Sequence, residues 1–149
     1  MPRLLASWFG TGLILGGLRG SHNGSGTVAG VLTLPLALAV GAVWGWQAQL
    51  AGVLLVTLAG LWAVSSLVAE EGDAGWIVID EAAGTILAVV GLGLGAALIA
   101  FLVFRIADIF KLPGVGAADR MPGFAGVMLD DLLAGLYGLA AGHLARMLL

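Results

Sequence analysis

Two pairs of adjacent carboxylates sit in stretches that otherwise read as lipid-soluble helix. Asp80-Glu81 interrupts Trp76-Ile-Val-Ile-Asp-Glu-Ala-Ala-Gly84, and Asp130-Asp131 interrupts Gly126-Val-Met-Leu-Asp-Asp-Leu-Leu-Ala-Gly135. An ionised side chain at membrane depth costs about 2.5 kcal/mol or more even on the lenient insertion scale. Four of them need a compensating partner, and a divalent cation supplies it most economically. The chain has no cysteine and no clear histidine cluster, so the donors are hard oxygens, which favour Mg²⁺ over Zn²⁺. Neighbours on a helix point about 100° apart. One carboxylate of each pair is therefore expected to bind metal directly, while the other orients it, holds a water or serves a second metal. The structural alternative, acids capping a helix at the interface, suits Asp80 better than Asp130 and Asp131.

Arg105, Asp108 and Lys111 follow at i, i+3 and i+6, which places them along one helix face. They read either as an ion-pair ladder at a helix end or as an anion clamp. In the clamp, Arg105 and Lys111 hold phosphate oxygens while Asp108 orients Arg105 or binds metal. The segment Gly20-Ser-His-Asn-Gly-Ser-Gly-Thr27 precedes a helix, where backbone N–H groups favour an anion, although it equally suits a flexible connector and lacks the Lys-Ser/Thr ending of a P-loop. His22 in that loop reads as solvated, and His143, far along the last apolar segment, as structural. Asp73 is within reach of the acids from its loop, whereas Glu70 and Glu71 read as a solvated helix end.

The elements that must position these residues are membrane helices. Of 149 residues 60% are hydrophobic and only 10% charged, against about 25% in soluble domains, and the mean hydropathy is +1.09. This predicts an all-α polytopic membrane protein, one domain over 1–149. The 25 glycines suit close helix approach in lipid. The absence of cysteine excludes disulfides and thiol nucleophiles. A net charge of −3 without a basic patch argues against nucleic acid. Met1 to Leu18 imitates a signal peptide but lacks an Ala-x-Ala cleavage site, so it is expected to stay in the mature chain. Leu4 to Leu18 is short of the roughly 20 residues of a span and reads as an interfacial or re-entrant helix.

Spans follow at Val28–Val43 and Leu50–Val68, joined by a tight turn at Gln47-Ala-Gln49. Trp76 to Phe104 is too long for one span. It predicts a broken helix hairpin: a half-helix over about Ile77–Val90, a turn in Gly91-Leu-Gly-Leu-Gly95, and a longer helix to about Phe110. One tilted, kinked helix is the alternative. Lys111–Pro122 is a loop and Gly123–Leu149 the last span. Basic residues set orientation. Arg3, Arg19, Arg105, Lys111 and Arg120 all fall on one side of such a small helical bundle, the cytoplasmic side if the N-terminus is inside, and the polar clusters gather there with them.

Phe104-Arg-Ile-Ala-Asp-Ile-Phe-Lys111, then Asp119-Arg120, then the Gly126–Gly135 run resembles the signature of the phosphatidylglycerophosphatase A family. Asp73-Ala-Gly-Trp-Ile-Val-Ile-Asp-Glu-Ala-Ala-Gly84 is similar to that family's second motif, and Phe9-Gly-Thr-Gly12 with Gly26-Thr27 to its first. The resemblance implies a multi-pass enzyme of the bacterial inner membrane with its site facing the cytoplasm. It would remove the terminal phosphate of phosphatidylglycerophosphate using Mg²⁺. On these positions it puts Mg²⁺ at Asp80, Glu81, Asp130 and Asp131, phosphate at Arg105, Lys111, Arg120 and Thr27, and a base at Asp108 or a neighbouring carboxylate. A covalent route through Thr27 or Ser25 is less favoured, and a homo-oligomer is left open. The runner-up is a small ion- or proton-coupled transporter using the intramembrane carboxylates.

Overall fold

The computed structural model describes residues 1–67 and 74–149; Glu70, Glu71 and Asp73 lie outside them. The described residues are all-helical. Two short helices, α1 (Pro2–Ala6) and α2 (Ile14–Arg19), flank a 3₁₀ turn at Thr11–Leu13. Next come α3 (Ser25–Trp44), α4 (Trp46–Ser65), α5 (Ile79–Ala88), α6 (Leu94–Ile109), α7 (Val115–Asp119) and α8 (Phe124–Arg146). Helices α3, α4 and α8 are long and apolar enough to cross a bilayer. Leu36, Val43, Trp44, Leu54, Leu55, Leu58 and Leu102 stand exposed on their outer faces and on that of α6. So much apolar surface is stable only against lipid, and the protein is a multi-pass membrane protein.

The hairpin is present as two helices. Between α5 and α6 the chain turns at Val89–Gly93, with Gly91 in the left-handed region at φ 71°. Asp80 at the start of α5 and Arg105 and Asp108 near the end of α6 therefore lie at the same end of the bundle. The turn itself reaches the opposite end, where it packs beside Trp46 and His143.

Several details differ from the sequence reading. The predicted loop Lys111–Pro122 contains the short helix α7. The α3–α4 turn is Gly45 alone (φ 83°), and Gln47–Gln49 belong to the first turn of α4. Gln49 is fully buried: its Nε2 donates to the Ala37 carbonyl at 2.9 Å and its Oε1 accepts from the Gly91 N–H at 2.8 Å. One amide thus satisfies two backbone groups, and pins the hairpin turn to the α3–α4 corner. The N-terminal stretch is also not one helix. Trp8 and Phe9 take positive φ (47° and 57°) and Gly10 follows at 89°, which ends α1 after Ala6. The segment folds across the end of the bundle, where the Val78 N–H donates to the Ala6 carbonyl at 2.8 Å and His22 Nδ1 bonds the Gly12 carbonyl at 3.1 Å. His22 is accordingly half-buried, not solvated.

Helix α8 runs along both α5 and α6. A Cβ on Gly135 would lie 2.8 Å from the Gly84 carbonyl, and one on Gly84 would lie 2.7 Å from the Asp131 carbonyl. The α5 and α8 backbones touch, as small residues allow in lipid, and this contact sets the first turn of α5 beside the second turn of α8.

Replacing Gln49 by Leu strands the Gly91 N–H and the Ala37 carbonyl. Thermal or steric-trap unfolding in micelles should show a loss of about 1–3 kcal/mol. The distant acidic cluster should keep its cation affinity.

Candidate functional site

All four paired carboxylates line one cavity of about 170 Å³, together with Gly75, Ile77, Asp108, Lys111 and Asp119. Asp80 and Glu81 enter from the first turn of α5, Asp108 from the last turns of α6, Asp119 from the end of α7, and Asp130 and Asp131 from the second turn of α8. The relative exposure of Asp80, Asp130 and Asp131 is 8%, 7% and 2%. Helical adjacency leads one to expect only one member of each pair to face inward. Both do, because the cavity lies in the wedge between α5 and α8 and is approached by the two helices from opposite sides.

Gly26, at the N-terminus of α3, makes room for Glu81: a methyl group at Gly26 would fall on the Glu81 carboxylate. The glycine-rich loop thus contributes a close approach in addition to any anion preference.

The basic residues complete the arrangement. Lys111 Nζ lies 2.8 Å from Asp130 Oδ2, 3.1 Å from Asp108 Oδ1 and 3.1 Å from Asp119 Oδ1. It gets there through its backbone. Lys111 follows α6 with φ 47°, and the Leu112 N–H returns to the Ala107 carbonyl at 3.0 Å, a helix end that usually carries glycine. The left-handed conformation costs a non-glycine residue about 1–2 kcal/mol, and three ion pairs hold it there. Burial alone would lower the Lys111 pKa, but hydrogen bonds and charges from Asp130 and Asp108 more than reverse this and raise it, so the ammonium stays protonated.

Arg105 Nη1 pairs with Asp108 Oδ2 at 3.0 Å, and its Nη2 donates to Thr27 Oγ1 at 3.4 Å. Both oxygens of Asp108 are therefore engaged by cations. The Asp131 N–H donates to Asp130 Oδ1 at 2.8 Å and orients that carboxylate. Arg120 is exposed at the end of α7 and lies outside the cavity lining. His143 bonds the Val90 carbonyl at 3.1 Å at the far end, the structural role its position suggested. Asp119 is the cavity residue that residue-by-residue reading did not select; its place beside Arg120 within the motif was the available signal.

The donors suit a hard divalent cation. Asp80, Glu81 and Asp131 offer oxygens that lie within 4.8 Å of one another, as do Asp108, Asp130 and Asp131. Asp80 Oδ1, Glu81 Oε2 and Asp131 Oδ1 are buried without a hydrogen-bond partner. Buried carboxylate oxygens are rarely left unsatisfied, and an oxygen-only cradle of this size fits Mg²⁺, Mn²⁺ or Ca²⁺ and not a thiophilic ion.

A helical membrane protein with such an acid-lined, cation-edged cavity at one end of its bundle is built as an integral-membrane site for polar chemistry at the bilayer surface. Residues 4–146 match the family described as Phosphatidylglycerophosphatase A, and the chain belongs to that family. It is also 31% identical, over 98% of its length and 94% of the relative's, to a Bacteroides thetaiotaomicron protein named "Putative phosphatidylinositol-3-phosphatase". No solved structure matches it. Membership makes the chain a phosphatase acting on a phospholipid headgroup, and a multi-pass protein of the bacterial inner membrane.

Gly26→Ala should displace Glu81 and weaken divalent-cation binding about 10–100-fold, the range seen when groups supporting a metal site are disturbed. Calorimetric titration of the purified protein with Mn²⁺ checks this; unchanged affinity would show that Glu81 does not face the ion.

Proposed function

We propose that the protein hydrolyses the terminal phosphomonoester of phosphatidylglycerophosphate to phosphatidylglycerol, with Mg²⁺, at the cytoplasmic face of the inner membrane. The observation that carries this reading is the meeting of α5 and α8 carboxylates with Lys111 in one cavity at one bundle end, with Arg105 paired to the cavity's Asp108. The lipid's acyl chains remain among the apolar outer faces while its phosphate reaches the acids.

Asp80, Glu81, Asp130 and Asp131 would hold the ion. When bound, it neutralises phosphate oxygens and acidifies a coordinated water. Lys111 and Arg105 meet the negative charge on the transferring phosphoryl group, and Thr27 fixes the Arg105 guanidinium. Asp108, engaged by both cations, positions them and is a poor candidate for the base. The base is instead drawn from the cluster carboxylates through an oxygen that the ion would leave free, Glu81 foremost, since it is less enclosed than Asp80 or Asp131. Water gives a proton to that carboxylate as its oxygen adds to phosphorus, the bond from phosphorus to the glycerol oxygen breaks, and the departing alkoxide takes the proton back from the carboxylate. Arg120, outside the cavity, serves in this reading to attract the anionic headgroup before it docks.

The relative's name favours a second lipid phosphomonoester, a phosphoinositide 3-phosphate, and the same cavity chemistry would accept it. Phosphate release by protein in mixed micelles, measured with each lipid in turn, separates the two. Phosphatidylglycerophosphate should be the faster by at least about tenfold, a difference of ~1.4 kcal/mol in transition-state binding. Chelation of divalent ions should stop release, and Asp130→Asn should lower it by a factor of about 10³ or more while the variant still folds. Undiminished release in excess chelator would reject the ion-assisted mechanism.

A further inference from the structure

The two carboxylate trios share a single member. Asp80, Glu81 and Asp131 form one, Asp108, Asp130 and Asp131 the other. Asp131 belongs to both, almost wholly buried, with Oδ1 unpartnered. A carboxylate shared by two such trios is suited to bridging, because its two oxygens can each serve a different ion, and paired ions in phosphoryl-transfer sites stand about 3.5–4 Å apart.

We propose that the cavity is a binuclear centre in which Asp131 bridges two divalent cations. One seat is completed by Asp80 and Glu81, the other by Asp108 and Asp130. Lys111 occupies the second seat until its ion arrives. This deepens, and rests on, the cation-assisted phosphatase reading.

Charge supports two ions over one. Six carboxylates line the cavity, and Lys111, with Arg105 behind Asp108, provides the positive side chains paired with them, leaving four negative charges when all are ionised. One divalent ion removes half of that excess and two remove it. The seats are also unequal. In the first trio Asp80 Oδ1, Glu81 Oε2 and Asp131 Oδ1 have no protein partner. In the second, Lys111 Nζ already sits 2.8 Å from Asp130 and 3.1 Å from Asp108. An ammonium is held there as a counterion that a second cation must displace. Lys111 has somewhere to go: its third partner, Asp119, is 40% exposed at the rim. Moving toward Asp119 leaves the ammonium beside the cavity mouth, where a phosphate enters.

The test uses Mn²⁺ with the full chain in micelles. Wild type should bind two Mn²⁺ per chain with separated affinities, and at saturation its electron paramagnetic resonance spectrum should show the halved hyperfine spacing of an exchange-coupled pair. Asp108→Asn should retain one ion, uncoupled. Asp131→Asn should abolish the coupling. Lys111→Met should tighten the second ion by about tenfold or more while phosphate release falls, a pair of opposite effects that a purely structural lysine would not produce. One Mn²⁺ per wild-type chain, two without coupling, or coupling that persists in Asp131→Asn overturns the proposal. Because binding is read without substrate, failure here is separable from failure of the phosphatase reading. A coupled pair without phosphate release rejects the function alone. Release with a single uncoupled ion rejects the binuclear centre alone.

Discussion

Like charge held close together at the edge of a low-dielectric bundle is the constraint every other feature answers. Two unit charges 4.8 Å apart, the spacing limit within each trio, repel by about 3–4 kcal/mol at an effective dielectric of 20. A handful of such pairs equals the whole folding stability of an ordinary domain, about 5–15 kcal/mol. The carboxylates are nevertheless brought together. Lys111 offsets part of the repulsion by touching three of them, and Arg105 adds a little more through Asp108. The rest falls to a bound cation or to protonation, and an apolar core of the same volume would have been easier to fold. Keeping such an arrangement makes sense only for what it does when occupied.

The scaffold is organised to hold that cluster at fixed geometry. The Gly84–Gly135 contact brings α5 against α8 closely enough for the first turn of α5 and the second turn of α8 to face one cavity. The hairpin returns the chain so that α6 ends at the same level, and Gln49 locks the hairpin's far turn by satisfying the Gly91 N–H. The strain is concentrated at Lys111, whose left-handed backbone redirects the side chain from the end of α6 back into the site. Strain at a site is tolerable when surrounding bonds over-determine it, and the three ion pairs of Lys111 do so.

Much of this was legible before any coordinates. Composition gave the membrane class, segment length gave the broken hairpin over 76–110, and the basic residues gave the common end. What stayed hidden has physical causes. Gln47-Ala-Gln49 reads as a polar turn because a glutamine in lipid is costly, yet Gln49 is buried because two backbone groups need it. The break at Trp8-Phe9 carries no glycine or proline at the kinked residues themselves. Lys111 takes a conformation that sequence normally announces with glycine, so its contact with Asp130, nineteen residues away, could not be read from helical spacing. Asp119, quoted only as part of the motif, turns to Lys111 across the loop, a contact that its place in the sequence does not announce. The inward direction of both members of each acidic pair is a property of the wedge between two helices, which no single helix encodes.

The depth of the site separates a headgroup enzyme from a carrier. Transporters place their ionisable groups near the bilayer midplane, where access alternates between the two sides. Here Asp80 opens α5, and Asp130 is six residues into α8, about 9 Å along its axis at 1.5 Å per residue. The opposite end holds no acidic residue among those described; Arg146 and His143 there bond backbone carbonyls of the hairpin turn. Among the described residues, acidic charge thus lines one end only and does not continue through the bundle as a path for a cation. A phospholipid headgroup lies at that depth with its acyl chains still in the bilayer, so such a lipid need not leave the membrane and the acids need not leave the helices that hold them.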